Sequence, residues 1–257
     1  MRGLDDDHEL AARLAVDAGK LLVELRLELV GRGVDQRTLK DRADRSSHEW
    51  LTAALSEARP GDEVLSEEAT ADEARNSKRL GSERVWIIDP LDGTREFSEG
   101  RCDWAVHVAL TIDGQPVVGA VALPDEGEVF STASPVEPPA APSRLRVVLS
   151  RTRPPAEALA IADALGAEVV QMGSAGAKAM SILRGAADIY PHSGGQYEWD
   201  SCAPVAVASA AGLHCSRLDG SALLYNRPDT YLPDLLVCRP EHAQAAIEAA
   251  RTPRSAP

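Results

Sequence analysis

The sequence predicts an α/β fold of the α+β kind, a layered sandwich in which two packed α+β halves each carry a mixed sheet. Three observations carry this reading. Helix-period and strand-period segments follow one another without a regular βαβ repeat. Residues 134–143 hold four prolines in ten positions, which suits neither a helix interior nor a sheet ladder. The 257 residues, 44% of them hydrophobic, can bury a sizeable core without disulfides or a structural metal.

The elements follow in order. Leu10, Leu14, Ala18, Leu21, Leu22, Leu25 and Leu29 recur at helical spacing, and Asp5 to Asp7 offer N-caps and favourable charge at the helix start. A polar stretch over 31–45 separates that helix from a second over 47–58, stopped by Pro60-Gly61. Residues 63–66 read as a short strand, and 85–88 as a buried strand ending at Asp89-Pro90. WAVHVALTI and PVVGAVAL, joined through Asp113-Gly114, predict an antiparallel hairpin. A strand at 128–131 follows. After the proline-rich run come strand 145–150, helix 154–165 with proline in its first turn, strand 167–172 and helix 174–183. Strand 187–190, helix 200–211, strands 214–218 and 235–238, and a terminal helix complete the chain. The expected division is an N-terminal half over 1–133, a linker over 134–144 and a C-terminal half over 145–257.

Composition excludes several classes of function. Forty acidic against 27 basic residues give a net charge of −13, which disfavours binding to nucleic-acid polymers or anionic membranes. No apolar stretch is long enough to span a bilayer, and MRGLDDDHEL has no apolar signal core. Cys102, Cys202, Cys215 and Cys238 match no common zinc spacing and read as reduced thiols, so a cytoplasmic location is expected.

The chemistry concentrates in WIIDPLDGT. An apolar strand holds its end still, and Asp89 and Asp92 project from the turn, where Pro90 fixes the backbone and Gly93 permits a tight bend. Two carboxylates so placed can share hard divalent cations, and the Leu91 carbonyl lies between them. One Asp-x-x-Asp alone is more often a capping turn, Glu67-Glu68 alone a solvated loop, and Asp200 alone a helix N-cap. Together they place acids at strand ends in one half and at a helix start in the other, as a cleft-borne metal site requires. In Gly173-Ser174-Ala175-Gly176-Ala177-Lys178, small residues at a helix start let backbone N–H groups approach an anion. Arg95 and Arg217 are further cationic candidates. Of the six histidines, His192 is read as the one near the site, and as a surface residue rather than a ligand. Trp86 and Trp199 flank the acidic segments and read as packing supports.

Glu67-Glu68, WIIDPLDGT and WDSCAPVAVASAAG, in that order, resemble the lithium-sensitive, magnesium-dependent phosphomonoesterases of the inositol monophosphatase superfamily. DPLDGTREF, GSAGAKAM and LDGSALLYNRPDTYLPDLLVC resemble its bacterial CysQ-type branch, which acts on 3′-phosphoadenosine 5′-phosphate (PAP). The resemblance implies the inositol monophosphatase and fructose-1,6-bisphosphatase type of sandwich, with two or three magnesium ions per site. It implies Glu67, Asp89, Leu91 (through its carbonyl), Asp92 and Asp200 as metal ligands. Thr94 would orient the attacking water, with Asp44, or in competition Asp41, as its partner, and Glu68 would stand behind the ligands. Substrate would meet Glu67, Leu91, Asp92, Gly93, Thr94, Arg95, Ser174, Gly176, Lys178 and Asp200, with Lys178 at the 5′-phosphate.

The function so implied is removal of the 3′-phosphate of PAP to give AMP, or of its sulfated form PAPS, in sulfate assimilation, and some members of the family are homodimers. The same site could instead serve inositol 1-phosphate or fructose 1,6-bisphosphate. A haloacid-dehalogenase-type phosphatase would separate its two acids by one residue, whereas Asp89 and Asp92 have two between them. A non-catalytic PAP sensor should have lost a ligand, whereas Glu67, Asp89, Asp92, Thr94 and Asp200 are all present, and a purely structural metal module would bind metal tightly without turnover.

Overall fold

The computed structural model describes residues 3–70, 76–140 and 143–251. Among them, ten strands form two five-stranded sheets. In the first sheet the order is β1 (Glu63–Ser66), β2 (Arg84–Asp92), β3 (Ala105–Ile112), β4 (Gln115–Leu123) and β5 (Glu128–Ser131). β1 and β2 are parallel and the rest antiparallel, so the sheet is mixed. The second runs β7 (Glu168–Met172), β6 (Arg146–Ser150), β8 (Ile189–Tyr197), β10 (Tyr231–Cys238) and β9 (His214–Ser216). It too is mixed, with β6 parallel to β7 and β8.

Helices α1 (Leu4–Gly31) and α2 (Gln36–Ala58) cover the outer face of the first sheet. Trp86 and Ile88 of β2, with Val106, Val108 and Leu110 of β3, alternate onto that face and meet Leu10, Leu14, Leu22 and Leu51. The intervening residues Val85, Ile87, Ala105 and Ala109 point the other way, onto α6 (Ala175–Leu183) and α7 (Glu198–Ala210). Behind those two helices lie Val148, Tyr190, Leu235 and Val237 of the second sheet. Its far face, with Val147, Leu149, Ile189 and Leu236, is covered by α5 (Ala156–Ala164) and α8 (Pro240–Arg251). The layers therefore alternate α, β, α, β, α.

The middle layer is thin because its residues are small. At Gly119 of β4, an added Cβ would lie 2.7 Å from the Ala206 Cβ and 2.8 Å from the Ala203 carbonyl oxygen, so strand and helix touch through backbone. The hairpin turn is as expected: Asp113 (φ 50°) and Gly114 (φ 73°) are both left-handed, the pairing that matches strand twist.

Two expectations need correction. Gly3, not an aspartate, stands at the N-cap of α1, and Asp5 to Asp7 lie in its first turn. Asp7 is buried there and pairs with Arg59 at 2.6 Å and Arg84 at 2.9 Å. The polar stretch over 31–45 is mostly helix, since α2 begins at Gln36 under an Asp35 cap that accepts the Thr38 N–H at 2.9 Å. Only Leu39, Ala43, Ser47, Leu51 and Leu55 of α2 are buried, a stripe too narrow and too small at its start to stand out against the charges. Two short helices, α3 (Ser77–Leu80) and α4 (Thr94–Ser98), fall in segments to which the sequence pattern assigns no element. Residues 134–140 form no helix or strand, and 141–142 of the expected linker lie outside the described residues.

Candidate active site

On a regular strand, residues three apart point to opposite faces. Asp89 and Asp92 escape this rule through a bulge. Asp89 pairs with His107 and Asp92 with Ala105, so three steps on β2 match two on β3. A bulge of this kind re-aims a side chain. Pro90, with no N–H to give an interior ladder, is its local cause. The Asp89 carboxylate accepts the Leu91 N–H at 3.0 Å. As a result Asp89, Asp92 and Asp200 bring carboxylate oxygens within 4.8 Å of one another.

Asp92 is the most firmly held. Its two oxygens accept the N–H groups of Ala175 at 3.1 Å and Gly176 at 2.6 Å, at the start of α6. His107 Nε2 lies 3.1 Å away, and His107 Nδ1 donates to the Trp199 carbonyl at 3.1 Å. The anion at this helix start is thus the protein's own carboxylate, not a substrate. Burial alone would raise the Asp92 pKa, but the His107 charge, the Lys178 charge and the Gly176 N–H together hold it below the usual carboxylate value. His107 is the reciprocal case: burial opposes its charge, and Asp92 outweighs burial to raise its pKa. Gly176 is required here, because a Cβ would lie 2.2 Å from His107 Nε2.

The other acids behave oppositely. Burial first, then the charges of Glu67, Asp92 and Asp200, push Asp89 well above its ordinary value. Asp200 is pushed to about 7 by burial and by Asp92, against the pull of the Tyr197 N–H that it accepts at 2.6 Å. It lies two residues inside α7 and is not the N-cap. Glu67, just after β1, shares a hydrogen bond with Asp89 and is pushed to about 8, mainly by desolvation. Water still reaches the Glu67 side chain, which is exposed.

Asp44 comes in from α2 and is pushed to about 7 by burial and by Glu68, with the Thr94 hydroxyl opposing. Thr94 Oγ lies 3.2 Å from the Leu91 carbonyl oxygen to which it donates, between that oxygen and Asp44. Asp41 faces solvent and lies 3.9 Å from Arg37, so the structure brings Asp44 rather than Asp41 to Thr94. Ser47 anchors α2 to the bulge by donating to the Pro90 carbonyl at 2.8 Å. Glu68 is exposed, and its charge acts on both Asp44 and Glu67.

The remaining expected residues fall into two groups. Gly93 (φ 87°) makes the left-handed turn into α4 and abuts Ser174. Ser174 is buried and caps α6, accepting the Ala177 N–H at 2.9 Å. Lys178, however, does not face the cleft. It is buried, and its ammonium donates back to the carbonyls of Gly173 and Ser174, the latter at 2.7 Å, below the Tyr190 ring. It closes the loop rather than offering a free cation. Arg217 is likewise spent, in a bidentate pair with Asp234 at 2.8 and 2.6 Å. Arg95 is exposed on α4, and its guanidinium has no partner among the described residues.

The histidine at the site is His107, not His192. Its signal was present, a lone histidine in the otherwise apolar run of β3. His192 is half-buried, 3.0 Å from the Gly194 carbonyl oxygen, and held down to about 4 by burial and the Lys178 charge. Trp86 is buried and donates to Asp62 at 2.9 Å, while Trp199 stacks on Tyr197.

The cluster suits a hard divalent cation. All of its donors are oxygens, and burial first, then mutual repulsion, makes the carboxyls hold protons more tightly than ordinary ones, a penalty that a bound cation offsets. Among the described residues, no helix is long and apolar enough to cross a membrane.

The five-layer sandwich thus sets a carboxylate cluster, able to hold a hard cation, at the bulged end of an interior strand. The family model for "Inositol monophosphatase family" matches residues 5–254, and the chain belongs to that family. It is 53% identical over 244 residues to a protein of Mycobacterium bovis named 3′-phosphoadenosine 5′-phosphate phosphatase, covering 91% of this chain and 89% of that one. It is 30% identical over 207 residues to the Escherichia coli 3′(2′),5′-bisphosphate nucleotidase CysQ, covering 74% of this chain and 80% of that one. Among solved structures, CysQ from Bacteroides thetaiotaomicron superposes with a TM-score of 0.75 at 26% identity, over 91% of this chain and 97% of that one.

Proposed function

We propose that this chain is a metal-dependent 3′(2′),5′-bisphosphate nucleotidase that hydrolyses the 3′-phosphate of PAP to give AMP, and that PAPS is treated in the same way. The observation that carries the proposal is the close likeness to curated PAP phosphatases, with Asp89, Asp92 and Asp200 brought within reach of one cation. Glu67, Asp89, Asp92, Asp200 and the Leu91 carbonyl would hold two or three magnesium ions. When bound, magnesium supplies positive charge against the phosphate oxygens and the leaving alkoxide, and it acidifies water.

The chain's own groups do the rest. Asp92 is fixed by two N–H groups and His107, so it stays ionised and immobile. Thr94 and Asp44 form a hydroxyl–carboxyl pair beside the Leu91 carbonyl, placed to orient a water and take its proton. Glu68 tunes Asp44 by its charge. Lys178 positions the Gly173–Ser174 turn and hence the start of α6. We place the reaction in the cytoplasm and keep a homodimer as the assembly that the family resemblance implies.

The test is phosphate release with magnesium from PAP, inositol 1-phosphate and fructose 1,6-bisphosphate. PAP should give the highest kcat/KM. Preference for a sugar phosphate would keep the cluster and overturn the nucleotidase reading.

A further inference from the structure

Aromatic residues are scarce in this chain, with four tryptophans, four tyrosines and two phenylalanines. Eight of these side chains are buried or half-buried, and only Tyr197 and Tyr231 are exposed, each by 42%. Those two touch each other. They pair across β8 and β10, so their side chains share one face of the second sheet. The Tyr197 ring lies flat on Trp199, with centroids 5.0 Å apart and planes within 9°. Tyr231 meets Tyr197 at 5.8 Å and 80°, and the two rings form a corner. The Tyr231 hydroxyl is fixed by accepting the Gly195 N–H at 3.2 Å.

This corner is tied to the carboxylate cluster by backbone. The Tyr197 N–H donates to Asp200, and the Trp199 carbonyl accepts from His107. Exposed aromatic surface is costly to leave in water and supplies nothing to phosphate or metal. A substrate that carries its own aromatic ring next to the scissile phosphate, with one sugar between them, would cover it.

The geometry points to the Tyr197–Tyr231 corner, backed by Trp199, as the seat of the substrate's nucleobase and the element that favours nucleotides over sugar phosphates. This rests on the nucleotidase reading above. Stacking is indifferent to hydrogen-bond pattern, so the corner selects for a base as such, and discrimination among bases must come from elsewhere.

The test compares Tyr197→Leu, Tyr231→Leu and Tyr197→Phe with the wild type on PAP and on inositol 1-phosphate. Removal of one stacked ring should raise KM for PAP by roughly tenfold while kcat changes little. The ratio of kcat/KM for PAP to that for inositol 1-phosphate should fall by the same factor, and Tyr197→Phe should restore it. Equal losses on both substrates in the Leu variants would show that the corner only packs the start of α7, and would overturn the proposal. An unchanged KM for PAP in both Leu variants would overturn it as well. A wild-type chain that hydrolyses inositol 1-phosphate but not PAP would sink the nucleotidase reading first, and this proposal with it.

Discussion

Asp92 and Asp200 reach the same cluster from a strand of the first sheet and from a helix of the middle layer, and they are held in opposite ways. Asp92 sits at a bulge in an interior strand, with two N–H groups and an imidazole converging on it, and its pKa lies below the ordinary value. Asp200 rides near the start of a helix, with one N–H bond, and titrates at about 7. Preorganised donors set the charge state of one, and burial followed by the Asp92 charge sets that of the other. One side of the site is therefore a fixed frame, while the other takes its charge state from what binds.

The largest test of this contrast is Asp92→Asn. It should lower magnesium-dependent kcat/KM for PAP by about a thousandfold, measured as phosphate release, with an unchanged circular dichroism spectrum. Near wild-type turnover would remove Asp92 from the metal set. His107→Gln removes the imidazole charge but keeps a polar group in place. Loss of a group that orients a ligand costs ~10- to 100-fold in activity or metal affinity, and the same loss is expected here. Lys178→Met sharpens the comparison from the loop side. It should lower kcat/KM by roughly the same factor, about tenfold, on PAP and on inositol 1-phosphate alike. A loss confined to PAP would return Lys178 to direct contact with the 5′-phosphate.

The smallest effect is on stability. Asp44, Glu67, Asp89 and Asp200 all have folded pKa values raised above those of the unfolded chain. Between the ordinary carboxylate range and about 8, the folded chain therefore holds protons that the unfolded chain has lost, so stability falls as pH rises. In metal-free protein Tm should drop by a few degrees from about pH 5 to about pH 8, and magnesium should recover more of it at the higher pH. A rise in Tm over that window would contradict the raised pKa values.

Much of this was legible in the sequence, for identifiable reasons. The apolar, β-former-rich runs marked β2, β3 and β4, and Asp113-Gly114 marked the turn between β3 and β4. The acids at the ends of β1 and β2 and at the start of α7 were found because three weak signals coincided in order. The first turns of α2 were missed because a helix that buries only Leu39 and Ala43 there looks like a charged loop. The inward turn of Lys178 was not legible, because spacing fixes the face of a helix but not whether that face meets solvent. His107 was overlooked because a polar residue in a buried strand has two readings, and only the register shift opposite Pro90 decides between them.

The contact at Gly119 extends this dependence beyond the cleft. The helix that carries both Asp200 and Trp199, the ring behind the aromatic corner, rests on a strand with clearance for a hydrogen atom and no more. A methyl group there would act as a wedge, tilting α7 about its seat and opening the distance from Asp200 to the bulge. The gauge of the site is thus set at a position that meets neither metal nor substrate, and mutational tolerance there should be as narrow as at the ligands themselves.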